Sequence, residues 1–192
     1  MYIIIGKLLR KRCILHVHNA IDKFYIEESG ELGKFLIRKS LLFPDHIISL
    51  SNGIKNLLST LTSKPITAVY NGVAKNQFSP SKKKYKKPYQ MLFAGYVGPQ
   101  KGVSDLLYGL HLSGLSKDEI FFTIMGDGDI QEMKDIVKSL NIDGLVKFTG
   151  RVDEKEKTKL FNNADILALP SYGEGQPISI LEGMISGAAI LS

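Results

Sequence analysis

Asp165-Ile166-Leu167-Ala168-Leu169-Pro170-Ser171-Tyr172-Gly173-Glu174-Gly175-Gln176-Pro177-Ile178-Ser179-Ile180-Leu181-Glu182-Gly183-Met184 is the stretch that decides how this chain folds. The apolar run from Asp165 to Leu169 reads as a buried strand that stops at Pro170. A loop of Ser, Tyr and Gly follows, and a helical pattern opens near Pro177, where a proline's missing N–H leaves nothing unpaired in a first helical turn. Strand, Gly-containing turn and helix N-terminus form the geometry by which α/β proteins hold an anion, because unpaired N–H groups and the helix dipole converge there. Two carboxylates flank the turn: Glu174 in the loop, and Glu182 a turn or so into the helix. An ordinary strand-to-helix connection with two solvated glutamates has the same local pattern, so the rest of the chain must decide.

Upstream of this stretch, strand and helix patterns alternate. Strands are expected at 90–95, 120–125, 145–149 and 165–169, helices at 101–113, 129–140, 153–163 and 178–187, and a final apolar run begins at Ala188. Such alternation implies right-handed β-α-β units and a parallel sheet, whose ligands bind outside the carboxyl ends of the strands. Residues 13–18 read as a buried strand, 46–50 and 66–70 as two more, the last ended by the turn signal Asn71-Gly72. Leu32, Phe35, Leu36, Leu41 and Leu42 have helical spacing, Ser51 is placed to cap a helix running to Leu61, and residues 3–11 suit a short amphipathic helix. Residues 74–89 are polar, lysine-rich and bracketed by Pro80 and Pro88, which marks a linker. The fold class is therefore α/β, with a first domain at 1–73, the linker at 74–89 and a second domain at 90–192.

The 192 residues are 44% hydrophobic and 23% charged, ordinary for a globular protein. No apolar run approaches the ~18 residues that span a bilayer. Basic residues follow the short Tyr-Ile-Ile-Ile run at the start instead of preceding it, the wrong order for a secretory signal. A single cysteine, Cys13, excludes an internal disulfide and fits a reducing, cytoplasmic setting. Much of the formal charge of +6 lies in Lys82-Lys83-Lys84-Tyr85-Lys86-Lys87, with a smaller cluster at Lys7, Arg10, Lys11 and Arg12. The lysine run reads as a solvated linker or as a peripheral contact with anionic lipid headgroups at the inner face of the cell membrane. No recognition module points to nucleic acid.

Three further pieces carry chemistry. Gly95-Tyr96-Val97-Gly98-Pro99-Gln100-Lys101-Gly102-Val103 follows the strand at 90–95 and opens the next helix, with Gly98 and Gly102 suited to tight turns. Lys101 would hold a positive charge at the mouth of the sheet, where a departing nucleoside diphosphate develops negative charge. The alternative is an N-terminal-turn lysine in water. The glycine spacing misses the dinucleotide fingerprint. Asp127-Gly128-Asp129 is an Asp-x-Asp, used for metal by some sugar transferases, but its place between strand and helix favours a turn with Asp129 as N-cap. His16 and His18 share one face of a strand, too few ligands for zinc, with His18 nearer the cleft and His16 deeper. Taken together, the closing stretch and the lysine loop read as a sugar-nucleotide site, with the diphosphate near the helix start and the carboxylates on hydroxyls.

Tyr-Asn-Gly-Val at 70–73, the lysine loop at 95–103, Gly-Asp-Gly at 126–128, Phe-Thr-Gly at 148–150 and the stretch at 164–184 occur in order. Together they resemble the group 1 (family 4) retaining glycosyltransferases of the two-Rossmann-domain GT-B fold, with Glu174 and Glu182 in that family's Glu-x(7)-Glu relation. The wording around 171–184 is most similar to bacterial enzymes building capsule, lipopolysaccharide O-antigen or exopolysaccharide.

The resemblance implies roles. Glu174 would contact hydroxyls of the donor sugar and Glu182 the ribose. Lys101 would neutralise the diphosphate, helped by backbone N–H groups near Gly175, Gln176, Pro177 and Ile178. Gly95 and Gly98 would let the donor approach the backbone, Arg151 and Val152 would border the nucleobase, and His18 would face the transferred sugar or the acceptor. The catalytic set is then Glu174, His18 and Lys101, with no metal and no other cofactor. The implied partners are a nucleotide-sugar donor and a glycan or polyprenyl-linked acceptor, and the reaction proceeds with retention, the leaving phosphate taking the acceptor's proton. Tyr96 stands where many relatives have Arg, so one phosphate-facing cation is missing. The resemblance further implies that the first half of the amino-terminal domain, with its Gly-rich loop, and the last strand and closing helices lie outside this chain. A non-catalytic remnant or one half of a split enzyme, binding nucleotide or a partner without turnover, is the competing reading, and an epimerase of the same fold is a third.

Overall fold

The computed structural model describes residues 2–18, 29–74, 77–78 and 86–192. Among these residues there are seven α-helices and eight strands, and every strand pairing is parallel. The chain divides into two units: residues 1–71 with 173–176, and residues 72–172 with 177–192. Most of the expected linker and the lysines at 82–84 lie outside the described residues. Lys87 is described, and it pairs with Glu119 at 3.1 Å.

In the first unit the order is α1 (Tyr2–Leu8), β1 (Ile14–Val17), α2 (Glu31–Ser40), β2 (His46–Ser49), α3 (Asn52–Leu61) and β3 (Ile66–Ala68). The sheet order is β1-β2-β3, in register Ile14 to His46 and Ile47 to Ile66. Leu41, Ile47, Leu50, Ile54 and Leu58 form its core. Ser51 caps α3, its side chain accepting from the Ile54 N–H, as expected. The strand expected to be buried at 13–18 is shorter and not buried. It lies at the sheet edge, alternates exposed and half-buried, and puts His16 on the exposed face instead of deep in the unit. Alternation is what an edge strand covered on one face shows, whereas a continuous apolar run is needed for burial on both. Asn71 does not close a turn with Gly72; it bonds to Gln176 instead.

The second unit runs β4 (Tyr89–Ala94), a 3-10 turn (Pro99–Lys101), α4 (Val103–Ser113), β5 (Ile120–Met125), α5 (Ile130–Ser139), β6 (Val146–Gly150), α6 (Glu154–Asn163), β7 (Ile166–Ala168), α7 (Ile178–Ser186) and β8 (Ala189–Leu191). Its sheet order is β6-β5-β4-β7-β8, so the chain winds outward from β4 in one direction and then in the other. Period-two alternation in β4 sends Met91 and Phe93 into one core cluster, with Val103, Leu107, Met133 and Val137. It sends Leu92 and Ala94 into the other, with Phe78, Phe161 and Leu167. Helices thus cover both faces, which is why these strands read as apolar runs. The apolar run after Ala188 is the exposed edge strand β8. No helix among the described residues is long and apolar enough to cross a membrane.

Candidate functional site

In the second unit the loops leaving β4, β5 and β6 are locked to one another at the carboxyl edge of the sheet. The Gly95 N–H donates to the Met125 carbonyl at 3.0 Å, and the Gly126 N–H to the Gly150 carbonyl at 3.0 Å. The Val97 N–H donates to the Asp127 carbonyl at 2.7 Å, and the Val97 carbonyl accepts from the Asp129 N–H at 2.8 Å. Gly126 makes this possible: its φ of +139° suits glycine alone, and a Cβ there would lie 1.8 Å from the Gly95 carbonyl oxygen. Asp129 sits at the N-cap of α5 but makes no side-chain cap bond; its backbone N–H donates to the Val97 carbonyl.

Against this lattice lies a pocket of about 250 Å³ lined by Gly95, Tyr96, Gly126, Asp127, Arg151, Val152 and Lys157. That is slightly below the roughly 300–1,000 Å³ of ordinary ligand pockets. Three expected donor-binding residues, Gly95, Arg151 and Val152, therefore converge. Asp127, weighed above as a metal ligand, instead faces Arg151 at 3.5 Å (Nε to Oδ2). Both side chains are well exposed, so the pair contributes little to stability and can open for a ligand. No cluster of three or more metal-ligating side chains occurs among the described residues.

Glu182, on α7, is not a solvated glutamate: it is 5% exposed. Lys157 of α6 reaches it, Nζ to Oε1 2.6 Å, with its own side chain 25% exposed. A buried carboxylate without such a partner would be destabilising by several kcal/mol, about 3–5 when one member of a buried pair is removed. Lys157 was not among the expected site residues. It sits in Glu154-Lys155-Glu156-Lys157-Thr158-Lys159, which reads as a solvated charged face. The available signal was its place four residues before the fully buried Phe161, on the inward side of the helix.

Lys101 closes the 3-10 turn before α4 and is half-buried. Of the two glycines expected to make tight turns here, Gly102 does so, at φ +65° with a Cβ position 2.4 Å from the Pro170 carbonyl oxygen. Gly98 is extended, and its nearest neighbour is the Tyr96 ring. The loop after β7 is tied to this turn by the Tyr172 N–H, which donates to the Gln100 carbonyl at 2.9 Å. Ser171, in the same loop, has a buried hydroxyl oxygen without a hydrogen-bond partner. Pro177 is the N-cap of α7 instead of a residue of its first turn, and Ile178 begins the helix, exposed.

The remaining expected residues belong to the first unit. Glu174, Gly175 and Gln176 are half-buried and cluster with residues 1–71. A Cβ on Gly175 would lie 2.8 Å from the His18 carbonyl oxygen, and Asn71 Nδ2 donates to the Gln176 carbonyl at 2.9 Å. His18 follows β1, exposed, its Nε2 3.0 Å from Nδ1 of His16 and the two rings 3.9 Å apart. The expected site residues are thus divided between the units, with His18, Glu174, Gly175 and Gln176 in one and Lys101, Arg151, Val152 and Glu182 in the other.

A family model described as glycosyl transferases group 1 matches residues 74–192. The chain is 25% identical over 185 residues to an uncharacterized glycosyltransferase of Methanocaldococcus jannaschii, covering 91% of this chain and 45% of that protein. It is 27% identical over 191 residues to the O-antigen chain mannosyltransferase RfbU of Salmonella typhimurium, covering 96% of this chain and 52% of that protein. It spans about half the length of the curated relatives it matches. The fold is similar to that of Anabaena HepE, crystallised with UDP and glucose, with a TM-score of 0.82 at 17% identity over 98% of this chain and 55% of that one. The parallel α/β architecture is of the GT-B type.

Proposed function

Because this chain belongs to the group 1 glycosyl transferases, we propose that it carries the donor-binding part of an enzyme that moves a hexose from a nucleotide sugar to a glycan or lipid-linked acceptor in cell-envelope polysaccharide synthesis. The observation that carries this reading is the convergence of Gly95, Arg151 and Val152 on one pocket at the carboxyl ends of β4, β5 and β6. A relative named for O-antigen chain mannosyl transfer and a structural neighbour crystallised with UDP and glucose support it.

In this reading the nucleobase lies between Val152 and the aliphatic part of Arg151, and Glu182 accepts from ribose hydroxyls. Lys101 stabilises charge as the bond from the anomeric carbon to the phosphate oxygen breaks. The acceptor oxygen bonds to the same face of that carbon, giving retention, and its proton passes to the departing phosphate. Glu174 binds hydroxyls of the donor sugar, and His18 faces the transferred sugar or the acceptor. The transfer uses no divalent metal. The enzyme works in the cytoplasm, with the lysine run at 82–87 against anionic lipid headgroups.

The test is to incubate the chain with UDP-, GDP- and ADP-sugars and an acceptor extract, following release of nucleoside diphosphate. Release that depends on acceptor and is lost in Glu182→Ala supports transfer. Binding of nucleoside diphosphate by calorimetry without any release would leave a nucleotide-binding protein and remove the catalytic claim.

A further inference from the structure

Lys157 lines the pocket and simultaneously holds the buried Glu182, Nζ to Oε1 2.6 Å. One side chain therefore joins the open cavity to a carboxylate that is only 5% exposed. An ammonium has three donors and a carboxylate about four lone-pair positions, so one bond between them leaves both with capacity to spare. A donor and an acceptor held side by side match a vicinal diol, each of whose hydroxyls both gives and accepts a hydrogen. The ribose of a nucleotide presents such a diol.

We propose that Lys157 is a specificity-determining residue: with Glu182 it forms a donor–acceptor pair that reads the 2′,3′-diol of a ribonucleotide. This rests on the sugar-nucleotide reading above and adds to it a residue and a selectivity. The ion pair fixes the carboxylate before the ligand arrives, because a buried Glu182 has a charged partner at 2.6 Å and does not reorient freely. Removing one hydroxyl from the ligand leaves a buried charged group short of a partner. Sites built on hydrogen bonds reject an analogue lacking the group far more strongly than apolar sites reject a missing methylene.

The experiment is a calorimetric titration of the folded chain with UDP, GDP and ADP, then of the tightest binder beside its 2′-deoxy form. Wild-type protein is expected to favour the ribonucleotide by about tenfold or more, the effect of losing a hydrogen bond to a charged group. Lys157→Met is expected to bring the ratio down to about two to three, while Lys157→Arg, which keeps the charge and the donors, retains most of it. A Lys157→Met protein that is folded and discriminates as well as wild type overturns the proposal and leaves Lys157 a structural partner only. Should that variant not fold, Lys157→Arg and Lys157→Gln are compared, and equal ratios in the two overturn it. Absence of binding of every ribonucleoside diphosphate to folded wild-type chain overturns the sugar-nucleotide reading itself and this inference with it, an outcome distinct from binding without discrimination.

Discussion

Tyr172 donates its hydroxyl hydrogen to Oδ2 of Asp105 at 2.6 Å, joining the loop after β7 to the first turn of α4. The bond to Asp105, and secondarily that residue's negative charge, raises the Tyr172 pKa. A folded-state pKa above the unfolded one means that the bond's contribution is fully present below the ordinary tyrosine range. It is lost as pH rises through the folded value. In an ultraviolet absorbance titration Tyr172→Phe is expected to remove a tyrosine from the high-pH end of the curve. Loss of an ordinarily titrating tyrosine would count against the bond in solution.

Gly126→Ala places a methyl group on the Gly95 carbonyl and forces a side chain onto a φ of +139°. The two strains combined are expected to destabilise the second unit by more than ~3 kcal/mol, in the range of severe single substitutions. Urea unfolding measures this, and nucleotide affinity should fall with it. A shift below ~1 kcal/mol would mean that the three loops are not locked as described.

Breaking the Lys157–Glu182 pair from one side should be worse than removing it altogether. Lys157→Met is expected to lower stability by about 3 kcal/mol, since Glu182 stays buried without its partner, and Lys157→Met with Glu182→Leu to recover most of that loss. Equal destabilisation in the single and double variants would show that the two side chains do not form a buried pair in solution.

Asp45 ties α1 to β1, accepting from Lys7 and, at 2.8 Å, from the Cys13 N–H. These bonds, led by that from Lys7, hold its pKa below the usual aspartate value. The stabilisation is therefore present above the ordinary carboxylate range and disappears as pH falls through the depressed folded value. Hydrogen exchange at the Cys13 amide should accelerate as the pH drops below that range, and in Asp45→Asn the acceleration with acid should vanish. An unchanged pH profile in the variant would assign the protection to another group.

Chelation is the check on the proposed metal-free transfer. Nucleoside diphosphate release should be the same with and without EDTA. A loss restored by magnesium or manganese would return Asp127 and Asp129 to the role of metal ligands.

The second unit was largely legible because its determinants are local. The apolar runs at 90–95 and 120–125 lie within one residue of β4 and β5, and each loop announces itself by glycine. Ser51 could be read as a cap because a cap requires only its own side chain and the next turn. What could not be read was pairing at a distance. Whether the strand around His16 is covered on one face or two depends on neighbours, and that decided the position of His16. The burial of Glu182 depends on a lysine 25 residues upstream (182 − 157) on another helix. The same holds for residues 173–176, which sequence order assigns to the second half while their contacts are with residues 1–71.

The interlocked turns at 95–98 and 126–129 divide the pocket into parts that tolerate change and parts that do not. The floor is main chain, pinned by reciprocal amide bonds and by a glycine that no other residue can replace. The walls are side chains: Tyr96 from that floor, and Arg151 and Lys157 from the segment after it, of which Lys157 also holds the buried Glu182. A pocket so built can change what it admits through Tyr96 and Arg151 while its framework stays intact. Attempts to retarget it should leave the glycines alone and randomise Tyr96 and Arg151 first.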